Sequence, residues 1–383
     1  MRWQDWHLKD GRAHPPAGPD DPAVGMFLRL SVPAEPSALR PEIAEIQDYF
    51  GTLPDPVYGG QLQDFSIAGI PAEGRMAVDY VEEQVTLGDG SMVSLRRPSY
   101  RIGDPAYGPP SPELMISPRV APQMIGLGLI EAVPEEDILA LADPEDADGD
   151  GISGRPNLVL SEATGAPMLG RFGWKAGQPT IREQSASAFS GDIGISTPVL
   201  PEGWGECSEA QAGCREALDG GAPEADDQVL DLVTFYSRNL AVPARRDLDD
   251  PRVLDGKRLF YEAGCAACHA PKFVTARLPD QPEQSFQLIW PYTDLLLHDM
   301  GEDLADHRPE ARAGGAEWRT APLWGVGLNE TVTGRASFLH DGRARTLMEA
   351  VLWHGGEAQA ARDRVAAMSP EDREALIRFL ESL

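Results

Sequence analysis

The stretch GCAACHAPK, residues 264–272, holds two of the chain's four cysteines and decides how the rest is read. Cys265, Cys268 and His269 form C-x-x-C-H. Three chemistries use cysteines at this spacing. A thioredoxin-like dithiol needs a βαβ setting, and no such pattern flanks the motif. A structural zinc site needs two more Cys or His ligands at close spacing, and the next histidine is His298. A c-type haem needs nothing further: two thiols add to the vinyl groups and the adjacent histidine ligates iron. The sequence therefore predicts one covalent haem c on Cys265 and Cys268, with His269 on the iron.

The flanks agree. DPRVLDGKRLFYEAG, residues 250–264, reads as a short amphipathic helix with Val253, Leu254, Leu259 and Phe260 apolar, ending at Gly264. At the other end, SPEDREALIRFLESL offers Ser369 as N-cap and Pro370 in the first turn. Its Leu376, Ile377, Leu380 and Leu383 recur at helical spacing. This terminal helix is expected to pack across the first, making residues 246–383 one cytochrome c-like domain. Residues 1–245 are expected to form a second domain. There, YVEEQVTLGDGSMVSLRRPSY alternates apolar and polar residues around Gly88-Asp89-Gly90, which predicts a β-hairpin. Frequent Pro and Gly between 101 and 128 predict loops. The expected fold class is mainly α with loop-rich regions and minor β. No internal repeat is visible.

The 383 residues are 42% hydrophobic and 25% charged, the profile of a globular protein. No apolar run is long enough to span a membrane; VAPQMIGLGLIEAVP is short and broken by Pro122 and Gln123. Sixty-one acids against 33 bases give a net charge of −28. Such a surface repels nucleic acid and steers basic partners inward, or simply keeps the protein solvated. The other cysteines, Cys207 and Cys214, lie in a polar loop and either close a small disulfide or stay free. Covalent haem attachment takes place outside the reducing cytoplasm, which favours the disulfide. The expected compartment is the periplasm, with a signal peptide absent from this chain.

From His7 to its end the chain resembles the bacterial di-haem oxidoreductases of the peroxidase type, also called thiol oxidoreductases. These are distant relatives of the di-haem cytochrome c peroxidases. The resemblance rests on YGGQLQDF, SPRVAPQMIGLGLIEAVP, DADGDGISGRPN, GRFGWKAGQPT, NLAVPARRD, GCAACHAPKF, PYTDLLLHDMG, EWRTAPLWGVGL and FLHDGRARTLMEAVLWHGGEA, in that order. It implies two haems, the first attached just before a stretch like HLKDGRAHPP. In this chain WQDWH, residues 3–7, stands there, with Trp3 and Trp6 at the cysteine positions. Tryptophan forms no thioether, so covalent attachment of the first haem is not expected. Either His7 holds a haem non-covalently, or it is a surface histidine in a degenerate, truncated haem domain.

The iron on His269 needs a sixth ligand. His298, His307, His340, His354 and a methionine are the candidates. In TLMEAVLWHGG, Thr346 and Glu349 have capping-box spacing, and Leu347, Val351 and His354 share one helical face. The resemblance places the distal ligand of the second haem at His354, so a His269/His354 pair is expected. Such a haem has low potential and no open site for peroxide; in the relatives the first haem is peroxidatic and the second relays electrons. Arg319 and Arg343 are either propionate partners or surface arginines. His340 is expected to brace its loop or a propionate, and His298 and Met300 to line the pocket. Arg171, Trp174 and Lys175 form either a haem contact or a core. Asp146, Asp148 and Asp150 match the start of a calcium loop, although Asn157 replaces the expected glutamate at position twelve; an acidic turn is the alternative. The function implied is periplasmic electron transfer by a c-type haem oxidoreductase with a small redox protein or other donor or acceptor. The alternative is a non-catalytic haem carrier or scaffold subunit.

Overall fold

The computed structural model describes residues 7–9, 12–14, 23 and 25–383. Proline and glycine number 34 and 39 in the chain, and both are poorly tolerated inside helices and strands. Regular elements are accordingly short. Among the described residues there are ten α-helices and six small antiparallel sheets. Only the helices Ile181–Ile193, Asp227–Arg238, Pro251–Glu262 and Pro370–Ser382 reach twelve residues. The architecture is mixed rather than mainly α. No helix among the described residues is long and apolar enough to cross a membrane.

The predicted hairpin forms and is longer than its pattern suggested. Arg75–Thr86 pairs with Met92–Gly103 in twelve-residue register. Its turn is closed by Leu87 N donating to Ser91 O at 2.8 Å, with Gly90 at φ +83°, where a side chain would be strained. The ribbon reaches across the molecule. Gly88 N donates to Ala366 O, and Arg373 pairs with Asp89 at 2.8 Å. Farther along, the Arg96 guanidinium donates to the carbonyls of Gly342 and Arg343. A three-stranded sheet in the order Thr52–Leu53, Met26–Pro33, Met115–Val120 lies beside it.

At the C-terminal end, helix 370–382 crosses helix 251–262, as the two apolar patterns require. Val253, Phe260, Leu376, Phe379 and Leu380 are buried between them with Tyr292. Phe260, Tyr292 and Phe379 form an edge-to-face cluster with centroids 5.4–5.8 Å apart. Leu254, grouped with the apolar side in the sequence, faces solvent. The crossing is close because Gly256 has no side chain. A Cβ there would run into the carbonyl of Ala375 and lie 2.8 Å from Phe379 Cβ. Gly256→Ala is therefore expected to destabilise the fold by about 1–3 kcal/mol through overpacking, read as a drop in thermal midpoint.

Candidate functional site

Helix 251–262 stops at Gly264, whose φ of +89° turns the chain into a single 3-10 turn, Cys265–Ala267. The next residues are clipped to the run 291–298. Thr293 N donates to Ala270 O at 2.9 Å, and Asp294 N donates to Cys268 O at 3.0 Å. This fixes the His269 ring, whose Nδ1 donates to Tyr292 O at 2.9 Å. Nε2 is left without a protein partner among the described residues. Cys265 and Cys268 are unpaired thiols. Burial pushes Cys265 up to about 11 and raises Cys268 as well. Thiols held protonated are poor redox nucleophiles at neutral pH.

The facing wall is the helix Leu347–Leu352. Thr346 caps it by accepting from Glu349 N. Glu349 does not complete a capping box; its carboxylate accepts from Arg345 N at 2.8 Å. The helix ends before His354, yet Leu347, Val351 and His354 all line one cavity, as their spacing implied. His354 Nδ1 donates to Ala350 O at 2.7 Å, again leaving Nε2 free. Cys265, Cys268 and His269 line the same cavity, which has a volume of about 620 Å³. Burial lowers both imidazoles, His269 to about 4 against the pull of the Tyr292 carbonyl. Both are thus neutral donors, the form that binds metal. A metal-ligating imidazole commonly donates its other ring N–H to a backbone carbonyl, as both do here.

Three guanidiniums line this cavity without a carboxylate partner among the described residues: Arg364, which is exposed, and the more enclosed Arg319 and Arg171. Arg319 donates to Gly173 O and Thr320 O, and Arg171 donates to Val133 O at 2.6 Å and to Ile130 O. Among the described residues neither has a carboxylate within ion-pair distance. Burial depresses both, Arg319 to about 10. Buried cations need an anionic partner, and the two propionates of a haem would supply one. Thiols, free Nε2 atoms and unpaired guanidiniums around one cavity fit a haem.

Of the other predicted residues, Trp174, His298, Met300 and His340 line the cavity, and Arg343 and Lys175 do not. Arg343 does not line the cavity; it pairs with Asp341 at 2.8 Å, donates to Asp303 O and covers Trp353. Its expected role as a propionate partner has no support in this geometry, because Asp341 already neutralises it. Trp174 lines the cavity, whereas Lys175 is fully buried against Asp306 at 2.8 Å. Met300 also lines it. His340 stacks on Trp318 with centroids 3.6 Å apart. His298 meets carboxylates at both nitrogens, Asp294 at 2.8 Å and Glu357 at 2.6 Å. Burial opposes protonation, but Asp294, Cys268 and Glu357 outweigh it and push His298 up to about 12. Its nitrogens are therefore not free for iron. In the acidic loop, Asp146 and Asp148 cluster with Asp143, not with Asp150, whose Oδ1 accepts from Ile152 N. Cys207 and Cys214 are joined as a disulfide. Trp3 and Trp6 lie outside the described residues; of His7 only the backbone, in the strand His7–Lys9, is described.

The family model for "Di-haem oxidoreductase, putative peroxidase" matches residues 4–383. The chain belongs to the di-haem oxidoreductase family. No curated protein matches it. Among solved structures, the hydrazine synthase of Kuenenia stuttgartiensis pressurised with 20 bar xenon is 17% identical, with a TM-score of 0.28. That alignment covers 41% of this chain and 55%, about half, of the other, too slight a likeness to carry an argument.

Membership makes the chain a haem protein by family. Three of its features escaped sequence reading. Asp294 and Glu357 clamp His298. Asp143 belongs to the acidic loop. Arg119 and Lys175 both lie over the Trp318 ring, the lysine 4.5 Å from its centre. For the clamp, the one signal in PYTDLLLH is an acid four places before a histidine, Asp294 and His298.

A pH dependence follows. A folded His269 stays neutral down to about pH 4, whereas an unfolded imidazole takes up its proton near about pH 6.5. Between those values the unfolded chain binds more protons, so stability rises with pH. Denaturant midpoints of haem-free protein are expected to climb across this window. The slope should be shallower in His269→Gln.

Proposed function

We propose that the protein is a c-type haem oxidoreductase that transfers electrons in the periplasm. Cys265 and Cys268 would hold the haem covalently, and His269 and His354 would ligate its iron. The observation that carries this reading is the matched pair of imidazoles. Each is neutral, each donates Nδ1–H to a backbone carbonyl, and each leaves Nε2 free in the cavity that the two thiols share. A bound haem supplies reversible one-electron chemistry. The chain's own residues do the rest. Tyr292 O and Ala350 O hold the ring orientations, Arg319 and Arg171 neutralise propionates, and the apolar wall around Leu347 and Val351 excludes water. With both imidazoles ligating iron, such a site would suit electron transfer rather than peroxide binding. The cross-linked Cys207 and Cys214 support an oxidising compartment. The net charge of −28 favours a small basic redox protein as partner. In this reading residues 246–383 are the haem-bearing unit, and residues 1–245 supply part of the cavity lining and the acidic loop, where Asp143, Asp146 and Asp148 offer oxygen ligands to calcium.

A second reading, a non-catalytic carrier or scaffold, is favoured by WQDWH, which has no thiol for a first haem. The haem-to-protein ratio separates one haem from two, and turnover with peroxide and a reduced donor separates enzyme from carrier. His354→Ala is expected to keep the thioether-linked haem in a pyridine haemochrome assay. Its ferric spectrum should move from low to high spin, and its reduction potential should rise. An unchanged low-spin spectrum would assign the sixth position to another residue, Met300 first. Chelator should lower the melting temperature if calcium is bound, and Asp148→Ala should remove that response.

A further inference from the structure

His354 is followed by Gly355, Gly356 and Glu357, and this short segment is held unusually tightly. A Cβ on Gly355 would lie 2.9 Å from Met300 O, and one on Gly356 would run into Asp299 O. Gly356 also has φ +52°, a conformation that suits glycine. The backbones of 355–356 and 299–301 thus touch without side chains between them. One residue on, Glu357 reaches back across the same junction. Its Oε2 accepts from His298 Nδ1 at 2.6 Å, and its Oε1 accepts from Ser153 Oγ at 2.6 Å and from Asp299 N at 3.3 Å.

His298 passes the connection on. Its Nε2 donates to Asp294 Oδ2 at 2.8 Å, and Cys268 Sγ lies 3.5 Å from its Nδ1. Asp294 in turn donates its backbone N–H to Cys268 O, one residue before His269. A continuous set of hydrogen bonds, charge-assisted at His298, therefore runs from the segment after one free imidazole to the loop before the other. His298 and Asp294 are buried, and Glu357 is nearly so. Charge-assisted bonds shielded from water are short and directional.

We infer that His298, held between Asp294 and Glu357, is a positioning residue that sets the span between the His269 and His354 rings by tying the His354 segment to the attachment loop. The inference rests on the haem reading for what the span serves, but the tie itself does not need haem. A cofactor that must reach both Nε2 atoms tolerates little error in their separation, so the anchor sits beside each ligand rather than on it.

Glu357→Gln is the decisive variant, because it keeps the size of the side chain and the fold. Asp294→Asn is the second. Arg345→Gln serves as the control: it breaks the Arg345–Glu349 pair on the helix before His354 and touches neither ligand. In haem-free protein, hydrogen exchange over residues 354–358 is expected to quicken in Glu357→Gln and not in Arg345→Gln. In haem-loaded protein, Glu357→Gln should retain covalent haem but gain high-spin character. Its affinity for cyanide should rise about tenfold, the scale of one lost charge-assisted hydrogen bond. Arg345→Gln should lose stability with its spectrum unchanged. Unchanged exchange over 354–358 in both Glu357→Gln and Asp294→Asn would overturn the tie. Faster exchange with an unchanged low-spin spectrum would overturn its role in ligand spacing. Wild-type protein that takes up no covalent haem would instead reject the haem reading, whatever the exchange data show.

Discussion

An extended run buried on every side must find a hydrogen bond for each peptide group, and residues 291–298 are such a run. Tyr292 to His298 are all buried. Their backbone partners come from several directions: Ala270 and Cys268 in the attachment loop, Arg155 in the N-terminal half, and Thr320 and Leu323 downstream. Tyr292 and Leu295 adopt positive φ, at 54° and 64°, a conformation that costs a non-glycine residue energy and persists only where the surroundings enforce it. Because these neighbours are hydrogen-bonded to the run, its path sets theirs. It carries the carbonyl that orients His269, the carboxylate that binds His298, and the aromatic ring that fills the helix crossing.

Charge is distributed in two opposite ways. The surface is strongly acidic, while the interior holds cations. Lys175 and Arg119 share Asp306, Arg119 and Arg308 share Glu310, and Lys175 Nζ also donates to the carbonyls of Arg308 and Gly314. Every cation of that network has a carboxylate partner, and it belongs to the scaffold. Arg171 and Arg319 are not neutralised by any described carboxylate. The contrast marks the cavity as a place where negative charge is expected from outside the chain, a distinction that composition alone does not reveal.

The parts legible in the sequence obey local rules. C-x-x-C-H, the Ser369 and Thr346 caps, the ribbon around Gly90 and the inward face of Leu347, Val351 and His354 each depend on residues within a turn or two of one another. What escaped the sequence depends on chain topology. Glu357 and His298 are 59 residues apart, and no spacing rule joins them. Asp143 enters the acidic loop from before the D-x-D-x-D run because the loop curls, so that Asp143 N donates to Ser153 O. Leu254 fits a helical pattern that the neighbouring helix is too narrow to cover. The overestimate of helix has a simple source: the motifs with the strongest periodicity are helical, and the Pro- and Gly-rich connections between them are most of the chain.

The reach of the ribbon has a consequence for assembly. A two-stranded ribbon is marginal by itself in water, and its tip is covered from the far end of the chain, by Ala366 and by Arg373, which lies 284 residues beyond its partner Asp89. A chain made from its N-terminus onward must wait for its last helices before that tip is covered. Contacts so distant in sequence are slow to form, and partly folded intermediates are the rule for chains of this length. The cysteines at 265 and 268 emerge well before the ribbon can dock. During that interval the cavity wall is incomplete, and the thiols are reachable from a side that the finished fold closes.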